Sequence, residues 1–244
     1  MIEMDYLYDG TYEGLLCCLY CHFLKIPATG IYQKHIYQRH LINPYREVPS
    51  LEKYSDYMDQ KLKQHLGELI SSQIFQCFLY EKGETENIIL RFVDLCFKKG
   101  AKYAGFHTHP IVSSFDEAVR KVKYETHRYV GYVRFIQMGE YLYSSIHPQY
   151  NILPLIGGHF SDRYKGEKII IHDVERKIAL AANDGNFLVI PFDKTDLSKH
   201  AKNNFFEILW KTYFDHIAIK DRINPKLQRN FVPLKYRKDL TEFK

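Results

Sequence analysis

The sequence predicts an α+β fold in which a helix-backed antiparallel sheet follows a mostly helical N-terminal part. Three observations predict it. Apolar residues recur at helical spacing through most of the first hundred residues. From residue 130 onward, short runs rich in β-branched and aromatic residues are separated by tight-turn sequences such as Asp184-Gly185-Asn186. Two further segments with helical periodicity lie between and after these runs, where they can back the sheet.

The N-terminal elements follow from periodicity and from their boundary residues. Thr11 is suited to cap a helix, Gly67 to interrupt one, and Lys98-Lys99-Gly100 to end one. The predicted elements are a strand at 4–8, a helix at 12–24, an extended stretch at 31–37, helical patterning over 51–80 and a helix at 84–97.

The second half predicts a helix, then a sheet with a helix that crosses it, then a last helix that Asn224-Pro225 ends. The predicted helices are 116–126, 152–163 and 203–222, and the predicted strands are 130–137, 141–146, 168–174, 178–182 and 187–191. Because strand patterning begins after the predicted helix at 116–126, we expect a mostly helical N-terminal part at 1–115 and an α+β domain at 116–244 that includes a basic C-terminal segment.

Composition limits the class of protein. A chain of 244 residues with 45% hydrophobic residues can form one large domain or two modest ones. No apolar run approaches the roughly 20 residues that span a bilayer, and Met1-Ile2-Glu3-Met4-Asp5 lacks the basic start of a signal peptide. The five cysteines are odd in number, which is a poor disulfide framework and fits a reducing compartment. We therefore expect a cytoplasmic protein with no membrane partner.

Positive charge is concentrated at the C-terminal end. The residues from Lys220 to Lys244 include eight Lys or Arg and three acidic residues, which accounts for the whole net charge of +5. Cations alternate there with aromatic residues, a combination that suits phosphates and stacked bases. This pattern predicts nucleic-acid binding, to single-stranded or distorted DNA, although a solvated surface would show the same charges. The candidate contacts are Lys226, Arg229, Lys235, Tyr236 and Lys238.

Two polar clusters accompany the predicted sheet. In a strand at 130–137, Tyr132 and Arg134 would share one face. Arginine grips phosphate bidentately, and a histidine beside a carboxylate can act as general acid or base. Structural salt bridges would explain the same residues. The candidate phosphate contacts are Arg128, Arg134, Arg163 and Arg176, and the candidate catalytic residues are His127, His159, His172 and Asp173.

Two short motifs suggest metal sites without completing one. His107-Thr108-His109-Pro110 with Ser113 and Asp116 is similar to the zinc signature of JAMM-type isopeptidases, but only two residues separate its halves, fewer than that signature has. A zinc site at Cys17, Cys18 and Cys21 would need a fourth ligand from His22 or elsewhere. These cysteines also lack the order of a radical SAM cluster, and packing in the core of a helix explains them. We expect no bound metal and no cofactor.

Ordered motifs across nearly the whole chain carry a family resemblance. They are 7–17, 127–135, Leu153-Pro154-Leu155 with His159-Phe160 and Arg163, 171–174 with Arg176, Trp210 with Tyr213-Phe214, and 224–229. Together they resemble a DNA metabolism/repair family whose members accompany a radical SAM DNA-modification protein, and whose C-terminal domain also occurs fused to uracil-DNA glycosylases. The resemblance implies a setting in DNA metabolism and a radical SAM partner protein, and it supplies no reaction.

Three hypotheses of function remain open at this point. The first is a DNA-metabolism accessory protein that binds nucleic acid through its C-terminal part and works beside a partner enzyme. The second is an enzyme that acts on a damaged or modified base. The third is a protein-interaction scaffold. Convergence of His127, His159 and His172 in one cleft would favour the enzyme.

Overall fold

The computed structural model of the protein describes residues 4–38, 44–192, 232–240 and 243, and its fold is α+β, as predicted. The chain divides into two compact units, Met1–Lys123 and Tyr124–Lys244. The first unit contains β1 (Met4–Tyr8), α1 (Tyr12–Leu24), β2 (Ala28–Gln33), β3 (Tyr45–Glu47), α2 (Glu52–Leu66), α3 (Glu68–Phe78), α4 (Thr85–Lys99) and a 3₁₀ helix (Ala101–Gly105). The division falls within α5 (Pro110–Tyr132). The second unit adds β4 (Ile136–Met138), β5 (Tyr141–Ile146), α6 (Leu153–Arg163), β6 (Lys168–Asp173), β7 (Ile178–Asn183), β8 (Asn186–Pro191) and α7 (Leu234–Arg237). The predicted division into domains at 115/116 stays a prediction.

The first unit packs its helices around a three-stranded parallel sheet of order β2-β1-β3. Thr11 caps α1 by accepting a hydrogen bond from the backbone N–H of Gly14, as its position predicts. Gly67, at φ 87°, separates α2 from α3, which confirms the predicted break. The helical character of this part is confirmed, whereas its parallel sheet was not predicted, because β3 has only three residues.

Helix α5 corrects the sequence prediction. The helix was expected to end at residue 126 and a strand to begin at 130, but α5 continues to Tyr132 and the strand β4 is limited to Ile136–Met138. Valine and tyrosine favour strands in general, yet Val122 and Tyr129 recur on one helix face and are fully buried, so packing overrides propensity. Tyr132 and Arg134 therefore do not share a strand face.

The second unit contains a five-stranded sheet of order β4-β5-β6-β7-β8. Its strands pair antiparallel except β5 and β6, which are parallel and are joined by the crossing helix α6, so the predicted sheet is confirmed as mostly antiparallel, with one parallel pair. Ile156 and Phe160 of α6 pack with Ile169, Ile171 and Leu180 on one sheet face. The predicted helix that crosses the sheet is confirmed.

The C-terminal segment is described from Val232 to Leu240 and at Phe243. Within it, α7 places Tyr236 in the core of the second unit, where its ring contacts Tyr129 and Tyr132. The predicted helix at 203–222 and the candidates Lys226 and Arg229 lie outside the described residues. In the described part of the chain, no helix combines the length and the apolar character that crossing a bilayer requires.

Candidate nucleic-acid interface

The loop 147–151, between β5 and α6, is held in place by three buried carboxylates. They come from separate parts of the second unit: Glu125 from α5, Asp173 from the end of β6, and Asp239 from the segment after α7. Their side chains are 2%, 0% and 1% exposed, respectively. A buried carboxylate must have charged or hydrogen-bonding partners, and each of these three finds them in or beside the loop.

Asp239 binds the start of the loop. Its carboxylate accepts hydrogen bonds from the Tyr129 hydroxyl at 2.8 Å, the His147 backbone N–H at 3.2 Å and His147 Nδ1 at 2.6 Å. Burial and the nearby Asp239 raise the pKa of Tyr129, so this hydroxyl keeps its proton and remains a donor. An ionised Asp239 can only accept, which places the His147 hydrogen on Nδ1 and leaves Nε2 to accept or donate on a side chain that is partly exposed.

Glu125 binds the end of the loop. Its carboxylate accepts hydrogen bonds from the Tyr150 backbone N–H at 2.8 Å and from the Tyr236 hydroxyl at 3.3 Å. Lys235 Nζ lies 3.6 Å from the same carboxylate and supplies the opposite charge. Burial, and then the Glu125 charge, raise the pKa of Tyr236, so its hydroxyl also stays protonated.

Asp173 acts on the loop through Arg176. Its carboxylate accepts hydrogen bonds from the backbone N–H groups of Glu175 and Arg176 and pairs with Arg176 Nη1 at 2.9 Å. Burial raises the pKa of Asp173, and the bonds from Arg176 oppose that rise. The guanidinium then donates to the carbonyls of Pro148 at 3.2 Å and Gln149 at 3.0 Å. Asp173 thereby fixes the guanidinium, and the guanidinium fixes the loop.

Glu125 and Asp173 position Lys235 and Arg176 at the loop, and Arg128 lies beside Lys235 over the Tyr236 ring. The Arg128 guanidinium lies 5.3 Å from the Tyr236 ring centre, and Lys235 Nζ lies 4.5 Å from the same centre. Lys235 also donates to Gln149 Oε1 at 2.8 Å, and Arg176 holds the Gln149 carbonyl. We call this group the cationic strip: Arg128, Lys235, Gln149 and Arg176.

The sequence predicted all three cations of the strip but misjudged their surroundings. In the described part of the C-terminal segment both candidate lysines lie near carboxylates: Lys235 lies in α7 beside Glu125, and Lys238 Nζ lies 3.9 Å from Glu175. Tyr236 was expected to offer a stacking face, but its side chain is buried, so it packs beneath Arg128 and Lys235 of the strip and is not available to a base. The burial of its apolar ring overrides the polar pattern of the surrounding sequence.

The predicted histidine cluster does not assemble. His127 is exposed on α5 and His159 is exposed on α6. His172 is buried on β6, bonded to the Tyr143 hydroxyl at 2.9 Å, and because it follows Ile171 it points to the sheet face opposite α6. Arg134 donates to the Gly131 carbonyl and Arg163 lies exposed at the far end of α6, so neither belongs to the strip.

The two metal-like motifs have other contacts. His107 Nδ1 lies 2.6 Å from Asp116 Oδ2, and His109 Nδ1 accepts from the Ile111 backbone N–H at 3.3 Å. Cys17, Cys18 and Cys21 are buried in α1, and burial raises the pKa of each thiol. Within residues 4–38, 44–192, 232–240 and 243, no group of three His, Cys, Asp or Glu side chains is placed to hold a metal ion.

Three residues of this region were missed at the level of sequence: His147, Gln149 and Tyr124. His147-Pro148-Gln149 follows a predicted strand and precedes a predicted helix, which is a common position for functional loops. Tyr124 and Arg128 are four residues apart, a spacing that places them side by side on a helix. That signal became readable only once α5 was known to continue past residue 126.

Comparison with known proteins places the strip inside a recognised family region. A family model described as "Domain of unknown function (DUF4130)" matches residues 83–242. No curated protein matches the chain. A solved structure, the pGpG-specific phosphodiesterase PggH from Vibrio cholerae, is similar at 8% identity and a TM-score of 0.34, over 86% of this chain and 88% of that one. A similarity of this size carries no argument about function.

Proposed function

The chain belongs to the family defined by the domain of unknown function DUF4130, and from that premise we propose that its C-terminal unit is a nucleic-acid-binding module of DNA metabolism. The cationic strip is the observation that carries the proposal. The family description itself names no ligand, so the support comes from the charges and contacts of this region.

The strip separates positive from negative charge in a way that suits a polyanion. Glu125 and Asp173, the carboxylates that pair with Lys235 and Arg176, are buried, whereas the Lys235 side chain is 44% exposed and that of Arg176 is partly exposed. A phosphate backbone that approaches the loop therefore meets cations, while the acidic partners lie beneath them. The anchors also hold the cations in place before binding, which reduces the entropy lost when a ligand binds.

DNA as the nucleic acid, and a radical SAM protein as the partner, rest on the family resemblance of the sequence motifs. We propose both on that basis. The C-terminal position of the strip is consistent with the resemblance, because the motifs at 127–135, 153–163 and 171–176 contribute α5, α6 and the Asp173–Arg176 anchor.

The test is a pair of neutral substitutions in the strip. Arg128→Gln together with Lys235→Gln removes two positive charges and leaves shorter, neutral side chains that still carry hydrogen-bonding groups. We expect weaker binding of a fluorescent single-stranded oligonucleotide in anisotropy titrations, and a plot of log affinity against log salt that is flatter by about one to one and a half units, since each lost phosphate contact removes about 0.7 for a single strand.

The matched control is Lys165→Gln together with Lys168→Gln. It removes the same charge at the other end of the sheet, where Lys168 pairs with Glu140 at 2.7 Å. A general effect of net charge would weaken both double variants equally, and that result would remove the strip from the binding site. A parent protein without salt-dependent affinity for DNA or RNA would overturn the proposed function itself.

A second candidate function is catalysis on a damaged or modified base, and the His147–Asp239 pair favours it. A histidine bonded through Nδ1 to a buried carboxylate can accept a proton at Nε2. This pair takes the place of the predicted cluster of His127, His159, His172 and Asp173, which does not form. Base release or strand cleavage from modified oligonucleotides, lost in His147→Gln with affinity retained, would support it; activity that survives in His147→Gln would exclude this histidine.

A further inference from the structure

Three side chains at the α5 end of the cationic strip form a layered stack. The buried ring of Tyr236 lies at the bottom, and the Arg128 guanidinium lies 5.3 Å above its centre. The Tyr124 ring lies against the same guanidinium, with its centre 4.3 Å from the guanidinium carbon. The stack therefore has a buried end and an outer end, and Tyr124 forms the outer end with 57% of its surface exposed.

The orientation of the Tyr124 ring is fixed although the residue is exposed. Arg128, one helical turn farther along α5, donates a hydrogen bond to the Tyr124 hydroxyl and also covers one ring face. An exposed aromatic side chain usually samples several rotamers, and holding it in one conformation costs entropy. Here the Arg128 guanidinium holds the Tyr124 ring in one conformation, and the guanidinium itself packs over the Tyr236 ring.

We infer that the outer face of Tyr124 is a stacking platform for an unpaired nucleobase. This inference rests on the proposed function, because it assigns the cations of the strip to the phosphates of the same strand. An aromatic face on a cationic layer suits a base, since each base has a flat π face and stacking on aromatic side chains tolerates any base sequence.

The chemistry selects single-stranded nucleic acid over duplex. In a duplex the bases are stacked on each other and their faces are not accessible, so the platform has no partner unless a base is unstacked. The cations of the strip would attract either form through the phosphates. The platform is thus the element that would distinguish the two forms.

Direct titration of the full-length protein tests this inference. The probes are a single-stranded oligonucleotide that carries 2-aminopurine, a duplex of the same sequence, and an oligonucleotide of the same length built from abasic sites. We expect Tyr124→Ala and Tyr124→Leu to weaken single-strand binding about 10-fold, the size expected for one stacked base, with little change for the duplex or the abasic strand. Tyr124→Phe, which keeps the ring, should restore most of the affinity and the 2-aminopurine quenching.

The possible outcomes separate this inference from the proposed function. Salt-dependent binding by the parent that is unchanged in Tyr124→Ala, or weakened equally for all three probes, overturns the platform and leaves the cationic strip standing. Equal loss in Tyr124→Leu and Tyr124→Phe also overturns it, because the hydroxyl and not the ring would then be responsible. A parent that binds none of the probes overturns both. Because Tyr124 is exposed, we expect all of these variants to fold, and thermal unfolding of each variant checks that weaker binding does not come from loss of folding.

Discussion

At the residue scale, Asp239 in the C-terminal segment has a structural role that its sequence context does not indicate. In the sequence, Asp239 is a minor charge within a basic tail. In the structure it is buried and accepts three hydrogen bonds from Tyr129 and His147. The partners lie 110 and 92 residues away, so no local pattern could reveal them. Sequence therefore identified the cations of the strip and Asp173, and it could not identify Asp239 as an anchor of the loop.

Asp239→Ala should destabilise the protein by about 3 kcal/mol, because it leaves a buried hydroxyl, a backbone N–H and an imidazole N–H without an acceptor. Urea denaturation followed by circular dichroism measures the change. Glu175→Ala is the control, because that side chain is 66% exposed and its ion pair with Lys238 is long, at 3.9 Å. The effect of this substitution on the free energy of unfolding should stay within about 0.5 kcal/mol. Similar values for the two variants would mean that Asp239 is not an anchor.

At the scale of elements, the sequence predicted the helices α1 to α6 but predicted a strand at residues that form the end of α5. The helix at 152–163 was predicted although Gly157-Gly158 weakens it, and the structure explains the first of these glycines. A Cβ on Gly157 would lie 2.3 Å from the Phe187 ring of β8, whereas a Cβ on Gly158 meets nothing within 4 Å. A side chain at position 157 would therefore have to displace the Phe187 ring, whereas one at position 158 would not.

Substitution of these adjacent glycines should have opposite effects. Gly158→Ala should stabilise the protein by about 0.5–1 kcal/mol, because alanine loses less backbone entropy in a helix. Gly157→Ala should destabilise it by about 1–3 kcal/mol through overpacking against Phe187. Thermal and urea unfolding of the two variants, measured side by side, decides the point. Effects of the same sign would mean that α6 does not pack on β8 as described.

At the scale of the whole molecule, the class of fold and the order of elements in the second unit were predictable because periodicity and turn residues are local signals. The parallel pairing of β1 with β2 and β3, and of β5 with β6, was not predictable in the same way. Such pairing depends on how distant segments pack, and the sequence around Tyr45–Glu47 carries too short a pattern to indicate it. The same limit explains why the cations were found and their arrangement was not.

Buried thiols and phenols in both units predict a loss of stability in alkali. Burial raises the pKa of Tyr8 and Cys18 in the first unit and of Tyr129 in the second, and it raises the pKa of Cys96 to about 11. In the unfolded chain these groups ionise near their ordinary values of about 8.5 for cysteine and 10 for tyrosine. The folded state then binds more protons than the unfolded state, so stability is complete below about pH 8 and falls as the pH rises through 9 to 11.

Urea midpoints at pH 7.5, 9 and 10.5 measure this loss. Cys96→Ala is the informative variant, because it removes one titrating thiol: it should lower stability at pH 7.5 through lost packing and also make the decline above pH 8.5 less steep. Midpoints that stay constant up to pH 10.5 would contradict the assignment of these groups as buried and protonated.

The three anchors of the loop 147–151 also imply an order of events during folding. Glu125 reaches the loop across 25 residues and Arg176 across 28, whereas Asp239 reaches it across 92. Closing the longest of these connections costs about 1 kcal/mol more in chain entropy than closing the shorter ones, and it needs the sheet beneath it as a template. A chain that has formed its sheet but has not yet docked residue 239 lacks the first anchor of the loop and the ordered position of Lys235. Under the proposed function, we expect the complete cationic strip, and with it full affinity for a polyanion, only after this last step.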